Sequence, residues 1–318
     1  MPEKVVVTRE IPEAGLRVLE GFDVSVLSGR PPEWGELLEG VRGASGILST
    51  VTDKMDGEVM DAAGQDLKVI ANMAVGYDNI DVGAAKERGI VVTNTPEVLT
   101  ETTADTAFML LLAAARRLGE AERLLRSGGW GAWGPKQLLG PDVWGKKLGL
   151  IGLGRIGQAV ARRSSGFEME VLYCDQYRNE SAEVELRARY LELDNLLSES
   201  DFISIHTPLT PETRHLIGEK ELGLMQPTAV LVNTSRGPVV DESALADALE
   251  NGRIFAAGLD VYEEEPKVHP KLLELENVVL APHIGSASIE TRDKMAKLAA
   301  ENLRAVLSGE PAKTPVDA

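Results

Sequence analysis

The chain has 318 residues, of which 43% are hydrophobic and 26% charged, and a formal net charge of −17. This length exceeds the size at which one hydrophobic core stops growing, so we expect two domains, and the composition excludes global disorder. The negative charge disfavours binding to nucleic acid or to an anionic membrane. Apolar runs such as 107–115 are too short to span a bilayer.

Cysteine usage and the first residues bear on the cellular compartment. Cys174 is the single cysteine, which excludes an internal disulfide and a thiolate cluster for zinc. Residues 1–5 do not resemble a signal peptide. We therefore expect a cytoplasmic protein without a metal site. Its net charge repels small anions at long range, so an anionic substrate requires a local cation.

Strand and helix patterns alternate along the first hundred residues. Apolar runs predict strands at 5–8, 46–48, 67–71 and 90–92, and helical periodicity predicts helices at 12–20, 55–63 and 81–88. Alternation of this kind is typical of βα units and a parallel sheet.

The pattern changes after residue 99. Residues Thr100 to Leu125 predict one long helix, and a loop with Trp130 and Trp133 follows it. A second βα series then begins. Its predicted strands are 147–152, 170–174, 202–206, 229–233, 256–260 and 278–280, and a last helix covers 288–307. We expect the second sheet to be inserted into the first domain, which then comprises residues 1–98 and 287–318, with 99–286 as the other domain.

A glycine pattern marks the first turn of the second series. Gly152, Gly154 and Gly157 match G-x-G-x-x-G between an apolar strand and a helical pattern, and Asp175 ends the next strand. The first glycine permits a tight turn, the second lets the backbone approach a pyrophosphate, and the third lets the helix pack closely on the strand. Amides at the helix N-terminus then face the phosphates. The pattern predicts a dinucleotide site, the alternative being a glycine-rich turn without a ligand.

Asp175 bears on the choice of dinucleotide. A carboxylate at this position accepts hydrogen bonds from both ribose hydroxyls of NAD and repels the 2′-phosphate of NADP. Arg178, three residues later, favours that phosphate in part. We therefore expect NADH to be preferred and NADP to be a possible second cofactor.

Three polar segments follow predicted strands of the second series, where ligands of open α/β sheets bind. They carry Arg236, the acidic run Glu263–Glu265 and His283. Reduction of a 2-keto acid by hydride requires a cation for the substrate, an acid that protonates the developing alkoxide and a carboxylate that orients this acid. The spacing predicts that chemistry but leaves open which of the three glutamates pairs with His283. A surface ion pair and a solvated acidic turn are the alternatives.

The other histidines carry weaker signals. His206 also ends a predicted strand, and it fits either a buried histidine or a residue that lines the cofactor. His215 and His269 lie in polar, loop-like stretches, and we expect no role for them.

Across nearly its whole length the sequence resembles the D-2-hydroxyacid dehydrogenase family, and most of all its glyoxylate/hydroxypyruvate reductase (glycerate dehydrogenase) branch. The segments that carry the resemblance are 75–81 (VGYDNID), 94–96 (NTP), 102–105 (TTAD), 152–157, 233–237 (NTSRG), 258–266 and 282–285 (PHIG). The family implies two doubly wound parallel-sheet domains, a flavodoxin-like substrate domain and a Rossmann NAD-binding domain. It also implies reversible, NAD(P)H-dependent reduction of glyoxylate or hydroxypyruvate to glycolate or D-glycerate.

The resemblance assigns roles to individual residues. By it, Arg236 binds the substrate, Glu265 pairs with the histidine, and His283 donates the proton in reduction. The backbone amides of Val75 and Gly76 hold the substrate carboxylate. The implied cofactor contacts are Leu153, Gly154, Arg155, Ile156, Asp175, Gln176, Tyr177, Thr207, Thr234, Ser235, Arg236, Asp260, His283 and Gly285.

The resemblance also implies a homodimer, in which the helix from Thr100 packs against its counterpart and Trp133 reaches the substrate site of the neighbouring subunit. Relatives that use NADPH often carry a serine-arginine pair where this chain has Asp175 and Gln176, which agrees with NADH. Phosphoglycerate dehydrogenase is one alternative, although it often has an additional regulatory domain. Formate dehydrogenases place glutamine at the position of Glu265, and a non-enzymatic, NAD-sensing corepressor is the remaining alternative.

Overall fold

The computed structural model describes residues 2–28 and 30–316. The chain divides into two compact units. Unit 1 comprises Met1–Leu99 and Ser286–Ala318, and unit 2 comprises Thr100–Gly285. Each unit contains one parallel β-sheet.

Unit 1 is built on a five-stranded sheet within the described residues. Its strands are β1 (Lys4–Arg9), β2 (Asp23–Ser28), β3 (Gly46–Ser49), β4 (Val69–Asn72) and β5 (Val91–Thr93). Its helices are α1 (Glu13–Val18), α2 (Trp34–Gly40), α3 (Gly57–Ala63), α4 (Val82–Glu87) and α13 (Ile289–Leu307). The strand order is β2-β1-β3-β4-β5, which is the flavodoxin-like order of doubly wound sheets.

The apolar strands of unit 1 occupy the middle of its sheet because both of their faces are covered. Val6 of β1 lies in register with Ile47 of β3, and Ile47 lies in register with Ile70 of β4. All three side chains are fully buried, as parallel strands with two covered faces require. Helix α1 lies close against α13 at Gly15, where an added Cβ would be 2.9 Å from the Ala296 carbonyl oxygen.

Unit 2 holds a seven-stranded sheet in the part of the chain that the structure describes. Its strands are β6 (Lys147–Ile151), β7 (Glu170–Cys174), β8 (Arg189–Tyr190), β9 (Phe202–Ile205), β10 (Val230–Asn233), β11 (Ala256–Leu259) and β12 (Val278–Leu280). Its helices are α5 (Thr100–Ala115), α6 (Leu118–Arg126), α7 (Arg155–Ser164), α8 (Glu180–Leu186), α9 (Leu193–Glu199), α10 (Glu219–Leu224), α11 (Glu242–Glu250) and α12 (Pro270–Glu274). The order β12-β11-β10-β9-β6-β7-β8 is the Rossmann order with one further strand at the β12 edge.

The sheet of unit 2 packs apolar side chains on both faces. Successive residues of a strand point to opposite faces, and Phe202 and Ile203 accordingly belong to two different apolar clusters. Helix α5 covers one of these faces, and a Cβ on Gly258 of β11 would be only 2.9 Å from the Cβ of Leu110. The carboxyl ends of these parallel strands lie at one edge of a closely packed sheet. The loops that follow them carry the predicted site residues of this unit.

The predicted fold class is confirmed, as are the predicted strands and the last helix, which Ser288 caps. The single long helix over Thr100 to Leu125 is wrong, because α5 ends at Ala115 and α6 begins at Leu118. Arg117 between them adopts a left-handed conformation with a φ of 51°. The helical periodicity continues across this residue, so the sequence pattern does not reveal the break.

Strand β2 and helix α2 of unit 1 are absent from the sequence predictions, as is the two-residue strand β8 of unit 2. The residues of β2 alternate between polar and apolar, and the strand lies at the edge of its sheet, where Val26 is more than one-third exposed. An edge strand needs no continuous apolar run, which is the signal that identified the other strands of unit 1. Among the described residues, no helix combines the length and the apolar character needed to cross a membrane.

Candidate active site

The glycine-rich turn connects β6 to α7 in unit 2. Gly152 has a φ of +95°, in the left-handed region that favours glycine. A Cβ on Gly157 would lie 2.2 Å from the carbonyl oxygen of Gly152, so only glycine lets α7 start this close to the strand. A Cβ on Gly154 would meet open space, because this residue faces the outside of the turn. The three glycines thus have the three roles that a dinucleotide turn requires.

Asp175 lies immediately after β7, next to the glycine-rich turn. Its Oδ2 accepts a 2.7 Å hydrogen bond from the N–H of Leu153, and its Oδ1 accepts one from the N–H of Gln176. A pocket of about 700 Å³ opens beside it. Gly154, Arg155, Asp175, Tyr177, Arg178 and Asn179 are among the residues that line this pocket. The turn, the open face at Gly154 and the half-buried carboxylate fit the pyrophosphate and ribose of NAD.

Arg178 lines the same pocket, but an acidic residue of α8 holds its guanidinium. Its Nε and Nη2 donate to the two carboxylate oxygens of Glu183 at 2.7 and 2.8 Å. The Tyr173 hydroxyl donates to Glu183 as well. The hydrogen bonds from Arg178 and Tyr173 lower the pKa of Glu183 to about 2, so this carboxylate is ionised at all physiological pH values. The arginine that would favour a 2′-phosphate is therefore paired with a carboxylate.

Arg236 lies in the loop that follows β10, and Asn233 organises this loop. The Oδ1 of Asn233 accepts hydrogen bonds from the N–H and the hydroxyl of Ser235, and its Nδ2 donates to the carbonyl of Arg236. A Cβ on Gly237 would lie 1.9 Å from the carbonyl of Tyr262, so the loop packs tightly on the segment after β11. The hydroxyl of Thr234 is buried and has no hydrogen-bond partner among the described residues.

Of the three glutamates in the acidic run, Glu265 is the one that contacts His283. The Nδ1 of His283 lies 2.8 Å from Oε2 of Glu265, and both side chains are partly exposed. Glu263 instead lies 2.9 Å from Nε2 of His215, and Glu264 is exposed. The choice that the sequence pattern left open therefore falls on the residue that the family resemblance indicated.

The surroundings of Glu265 favour its ionised form. Burial opposes ionisation, but the hydrogen bond and charge of His283, the N–H of Tyr262 and the charge of Arg236 together lower the pKa of Glu265. The N–H of Tyr262 donates to Oε1 at 3.1 Å, so each carboxylate oxygen has a partner. An ionised carboxylate on Nδ1 orients the imidazole and stabilises its protonated form.

Asp260 is an anchor for the segment that carries His283. Its carboxylate accepts hydrogen bonds from the N–H groups of Ile284 and Gly285 at 2.7 and 2.6 Å, and its carbonyl accepts one from the N–H of His283. It is 1% exposed. Burial raises the pKa of Asp260, against the opposing effect of these N–H groups. His283 has a φ of 53°, a conformation that non-glycine residues adopt only where the surroundings hold them in it.

The remaining histidines differ from His283. Burial lowers the pKa of His206 to about 4, so its imidazole is neutral near pH 7, and its Nε2 lies 2.9 Å from the Ser204 hydroxyl. It is therefore unsuited to donate a proton at neutral pH. His269 precedes α12, and its N–H donates to Glu242. Thr207 follows His206 and is partly exposed beside the glycine-rich turn.

The other predicted substrate residues lie elsewhere in the chain. Val75 and Gly76 belong to the loop after β4 in unit 1, and both are partly exposed. Trp133 belongs to unit 2 and is 78% exposed, so it lies outside the core of its own unit, as the sequence indicates. Residues 2–28 and 30–316 contain no group of three or more His, Cys, Asp or Glu side chains arranged to hold a metal ion.

Sequence reasoning missed the residues that hold the site together. Asn233 and Glu183 were not singled out, and Asp260 was expected only near the cofactor. Asp260 and Asn233 each follow a buried strand directly, and an isolated polar residue at this position is the signal that identified Arg236. Glu183 lies on a half-exposed helix face, and nothing in its sequence context distinguishes it from its acidic neighbours.

Comparison with known proteins identifies the family. Residues 108–285 match the model of the D-isomer specific 2-hydroxyacid dehydrogenase, NAD binding domain. The chain is 55% identical over 315 residues to a glyoxylate reductase from Korarchaeum cryptofilum, a match that covers 98% of this chain and 94% of the relative.

Solved structures agree with this match. A protein from Thermus thermophilus is similar with a TM-score of 0.93 and 48% identity, over 99% of this chain and 100% of that one. The NADPH-dependent glyoxylate/hydroxypyruvate reductase of Sinorhizobium meliloti, in complex with NADP and malonate, has a TM-score of 0.86 and 39% identity, over 99% and 97%. The family model covers more than half of the chain and the relatives match nearly all of it, so the protein belongs to the D-isomer specific 2-hydroxyacid dehydrogenase family of NAD-binding oxidoreductases.

Proposed function

We propose that the protein is an NADH-dependent reductase that converts glyoxylate to glycolate and hydroxypyruvate to D-glycerate, reversibly. Unit 2 is the NAD-binding domain of this enzyme, and unit 1 is its substrate domain. The 2.8 Å contact between Nδ1 of His283 and Glu265 carries the proposal, because it leaves Nε2 as the atom that transfers a proton. The names of relatives that match nearly the full chain support the choice of substrate.

Arg236 and His283 have separate roles in the proposed reduction. Bound NADH supplies a hydride to the keto carbon. The guanidinium of Arg236 binds the substrate and stabilises the negative charge that develops on the keto oxygen. Its Nη1 donates to the carbonyl of Ser235, which restricts the orientation of the planar group. Nε2 of His283 donates a proton to the same oxygen, so that hydride and proton together complete the alcohol.

Glu265 acts on this step through the histidine. Its ionised carboxylate stabilises the imidazolium before the proton leaves and orients the ring afterwards. In the oxidation direction, neutral His283 accepts the proton from the substrate hydroxyl. The backbone amides of Val75 and Gly76 bind the substrate carboxylate, and the residues after β10 and β12, including Thr234 and Gly285, border the nicotinamide.

We also propose that the enzyme is a cytoplasmic homodimer. Helix α5 and the segment after it carry several exposed, large apolar side chains, which are typical of an interface. The exposed apolar side chains of this surface are Met109, Leu118, Leu125, Trp130, Trp133, Leu139 and Trp144. Asp105, Phe108, Met109, Leu112, Arg163 and Phe167 line a mainly apolar pocket of about 390 Å³ on the same helix. A second copy of the chain would cover these side chains. The single cysteine supports a reducing compartment.

Steady-state kinetics test the proposal. NADH oxidation is measured with glyoxylate, hydroxypyruvate, pyruvate and phosphohydroxypyruvate, and each rate is repeated with NADPH. We expect the highest kcat/KM with NADH and either glyoxylate or hydroxypyruvate. A preference for phosphohydroxypyruvate would indicate a phosphoglycerate dehydrogenase instead, and the absence of turnover with every keto acid would indicate a binding protein.

A further inference from the structure

The loop after β4 has an unusual pattern of hydrogen bonds in unit 1. Three successive carbonyl groups, those of Ala74, Val75 and Gly76, each accept a hydrogen bond. Their donors are the N–H of Thr95 at 2.8 Å, Nδ2 of Asn94 at 2.8 Å and Nδ2 of Asn72 at 3.0 Å. Two of the three donors are asparagine side chains, which come from the ends of different strands.

These bonds determine where the N–H groups of the loop point. In a planar trans peptide the C=O and the N–H point in opposite directions. The bond from Thr95 therefore directs the N–H of Val75 away from its donor, and the bond from Asn94 does the same for the N–H of Gly76. The bond from Asn72 holds the next peptide, which carries the N–H of Tyr77. Among the described residues, no backbone or side-chain group accepts a hydrogen bond from the N–H groups of Val75 or Gly76. Successive N–H groups without an acceptor in the protein are available to bind an anion.

Asn72 is held rigidly. It is the last residue of β4 and is fully buried. Its Oδ1 accepts a hydrogen bond from the Ser49 hydroxyl, and its second Nδ2 hydrogen goes to Oδ1 of Asn79 at 3.1 Å. The amide therefore has one orientation in which all its groups are paired, and in that orientation it donates to Gly76.

Asn94 is held by residues of the C-terminal segment, Thr314 and, through it, Asn302. Its backbone carbonyl accepts a 2.6 Å hydrogen bond from the hydroxyl of Thr314, and its N–H donates to the carbonyl of the same residue. Asn302 of α13, which is fully buried, fixes Thr314 through two hydrogen bonds of 2.8 and 2.9 Å. The last helix thereby sets the position of the side chain that bonds to Val75.

We propose that Asn94 is a positioning residue that orients the N–H of Gly76 toward the carboxylate of the 2-keto acid, beside the N–H of Val75, whose peptide is held by the backbone of Thr95. This inference rests on the proposed function and extends it. Asn94 supplies no charge, and in this proposal it acts through the peptide group and not through contact with the substrate. It directs a backbone donor of the loop toward an anion, which a protein with a net charge of −17 otherwise repels.

Asn94→Ala tests the proposal without adding a charge. Loss of the bond to Val75 frees the carbonyl, so the following N–H loses its fixed direction. We expect the KM for glyoxylate and the inhibition constant of oxamate, a carboxylate analogue, to rise together by roughly tenfold. The kcat and the KM for NADH are expected to change by less than about twofold, because ground-state and transition-state binding weaken alike.

Asn277→Ala is the matched control. Asn277 also donates through Nδ2 to backbone carbonyls, those of Leu249 and Phe255, but it lies in unit 2 before β12. Its substitution is expected to leave the KM for glyoxylate and the oxamate constant unchanged. Should Asn94→Ala fail to fold, Asn94→Leu keeps the side-chain size, again without a donor, and the same measurements apply.

The outcomes separate this inference from the proposed function. If the unmodified protein turns over glyoxylate and both Asn94 variants bind oxamate as it does, the positioning role is wrong and the function stands. An equal loss in Asn277→Ala would likewise overturn it, since the effect would then be general. If the unmodified protein reduces no 2-keto acid, the proposed function is the statement that fails.

Discussion

The loop after β4 in unit 1 and the loops after β11 and β12 in unit 2 are held in opposite ways. In unit 1, the side-chain amides of Asn72 and Asn94 donate to backbone carbonyls. In unit 2, the carboxylates of Asp260 and Glu265 accept hydrogen bonds from backbone N–H groups. An anchor that donates leaves N–H groups for a ligand, whereas an anchor that accepts uses them. The chemistry of the anchoring side chain thus decides what the loop can bind.

This difference has an electrostatic consequence for unit 2. The N–H groups of Tyr262, Ile284 and Gly285 are engaged by the partly exposed carboxylate of Glu265 and the buried carboxylate of Asp260, so these groups are not free for an anion. Any attraction for a keto acid in this unit must come from cationic side chains. In the proposed function, Arg236 after the neighbouring strand β10 supplies that charge, and His283 after β12 supplies the proton. In the proposed arrangement, unit 1 binds the substrate carboxylate through neutral backbone amides.

The largest effect is expected from the side chain that donates a proton in the proposed reaction. His283→Ala removes the proton donor, and kcat for glyoxylate reduction should fall by roughly 10²–10⁴-fold. The dissociation constant for NADH, measured by fluorescence titration, should change little, because the ring is not needed for the dinucleotide turn.

His206→Gln is the comparison for this variant, since desolvation lowers the pKa of His206 to about 4. Its kcat should exceed that of His283→Ala by at least an order of magnitude. Near-normal turnover in His283→Ala together with a large loss in His206→Gln would show that His206, and not His283, is the proton donor.

Glu265→Gln tests the role of the carboxylate that pairs with His283. The neutral amide no longer stabilises the imidazolium, so the alkaline decline of kcat for reduction should move to lower pH by roughly one unit. Glu264→Gln, one residue away and exposed, is the matched control and should leave the pH profile unchanged. A Glu265→Gln profile that coincides with that of the unmodified enzyme would show that the pair does not govern the proton.

The same variant has a predictable effect on stability. The pKa of Glu265 is lowered in the folded protein, so its carboxylate contributes stability above the unfolded value of about 4.3. That contribution is lost as the pH falls through the folded-state pKa. In urea unfolding, Glu265→Gln should therefore be less stable than the unmodified protein at pH 7, and the difference should shrink below pH 4. A difference that does not depend on pH would contradict this reasoning.

These anchors also mark the limit of what the sequence predicts. Apart from β2 and β8, the strands of the two sheets follow from local patterns, as does the glycine-rich turn, because each depends on residues close together in the chain. The pairing of Asn94 with Val75 spans 19 residues, and its bond to Thr314 spans 220. A side chain's partner at such a distance depends on how the strands are ordered. The Arg117 break between α5 and α6 is also invisible, since the apolar periodicity continues across it.

The carboxylate of Asp175 also accepts hydrogen bonds from backbone N–H groups, and the choice of cofactor tests its role. Asp175→Ser should lower the ratio of kcat/KM for NADH over NADPH by roughly tenfold, because repulsion of the 2′-phosphate is removed. Glu183→Gln in addition should lower it by a further few-fold, as Arg178 loses its charged partner and can pair with that phosphate. Glu185→Gln on the same helix is exposed and should have no such effect. A preference for NADPH in the unmodified protein would overturn the assignment of Asp175.

The smallest effect on activity is expected from substitution of Trp133. In the proposed homodimer this residue acts on the substrate site of the second chain. The side chain is 78% exposed and lies in a glycine-rich loop, so it does little for the core of its own unit. A large amphipathic ring of this kind is typical of subunit interfaces. We expect Trp133→Ala to raise the KM for glyoxylate or hydroxypyruvate a few-fold, or to alter the preference between small and bulky 2-keto acids, with NADH affinity nearly unchanged.

Mixed dimers decide whether Trp133 acts within its own chain or on the neighbouring one. Chains with Trp133→Ala are combined with chains with His283→Ala, so a heterodimer has one site with an intact His283. If Trp133 acts on the neighbouring chain, that site receives the intact tryptophan of the His283→Ala chain and keeps the substrate preference of the unmodified enzyme. If it acts within its own chain, the same site shows the preference of Trp133→Ala. The first result would mean that the active site of unit 2 is completed by an apolar side chain from a second copy, in addition to its own cations.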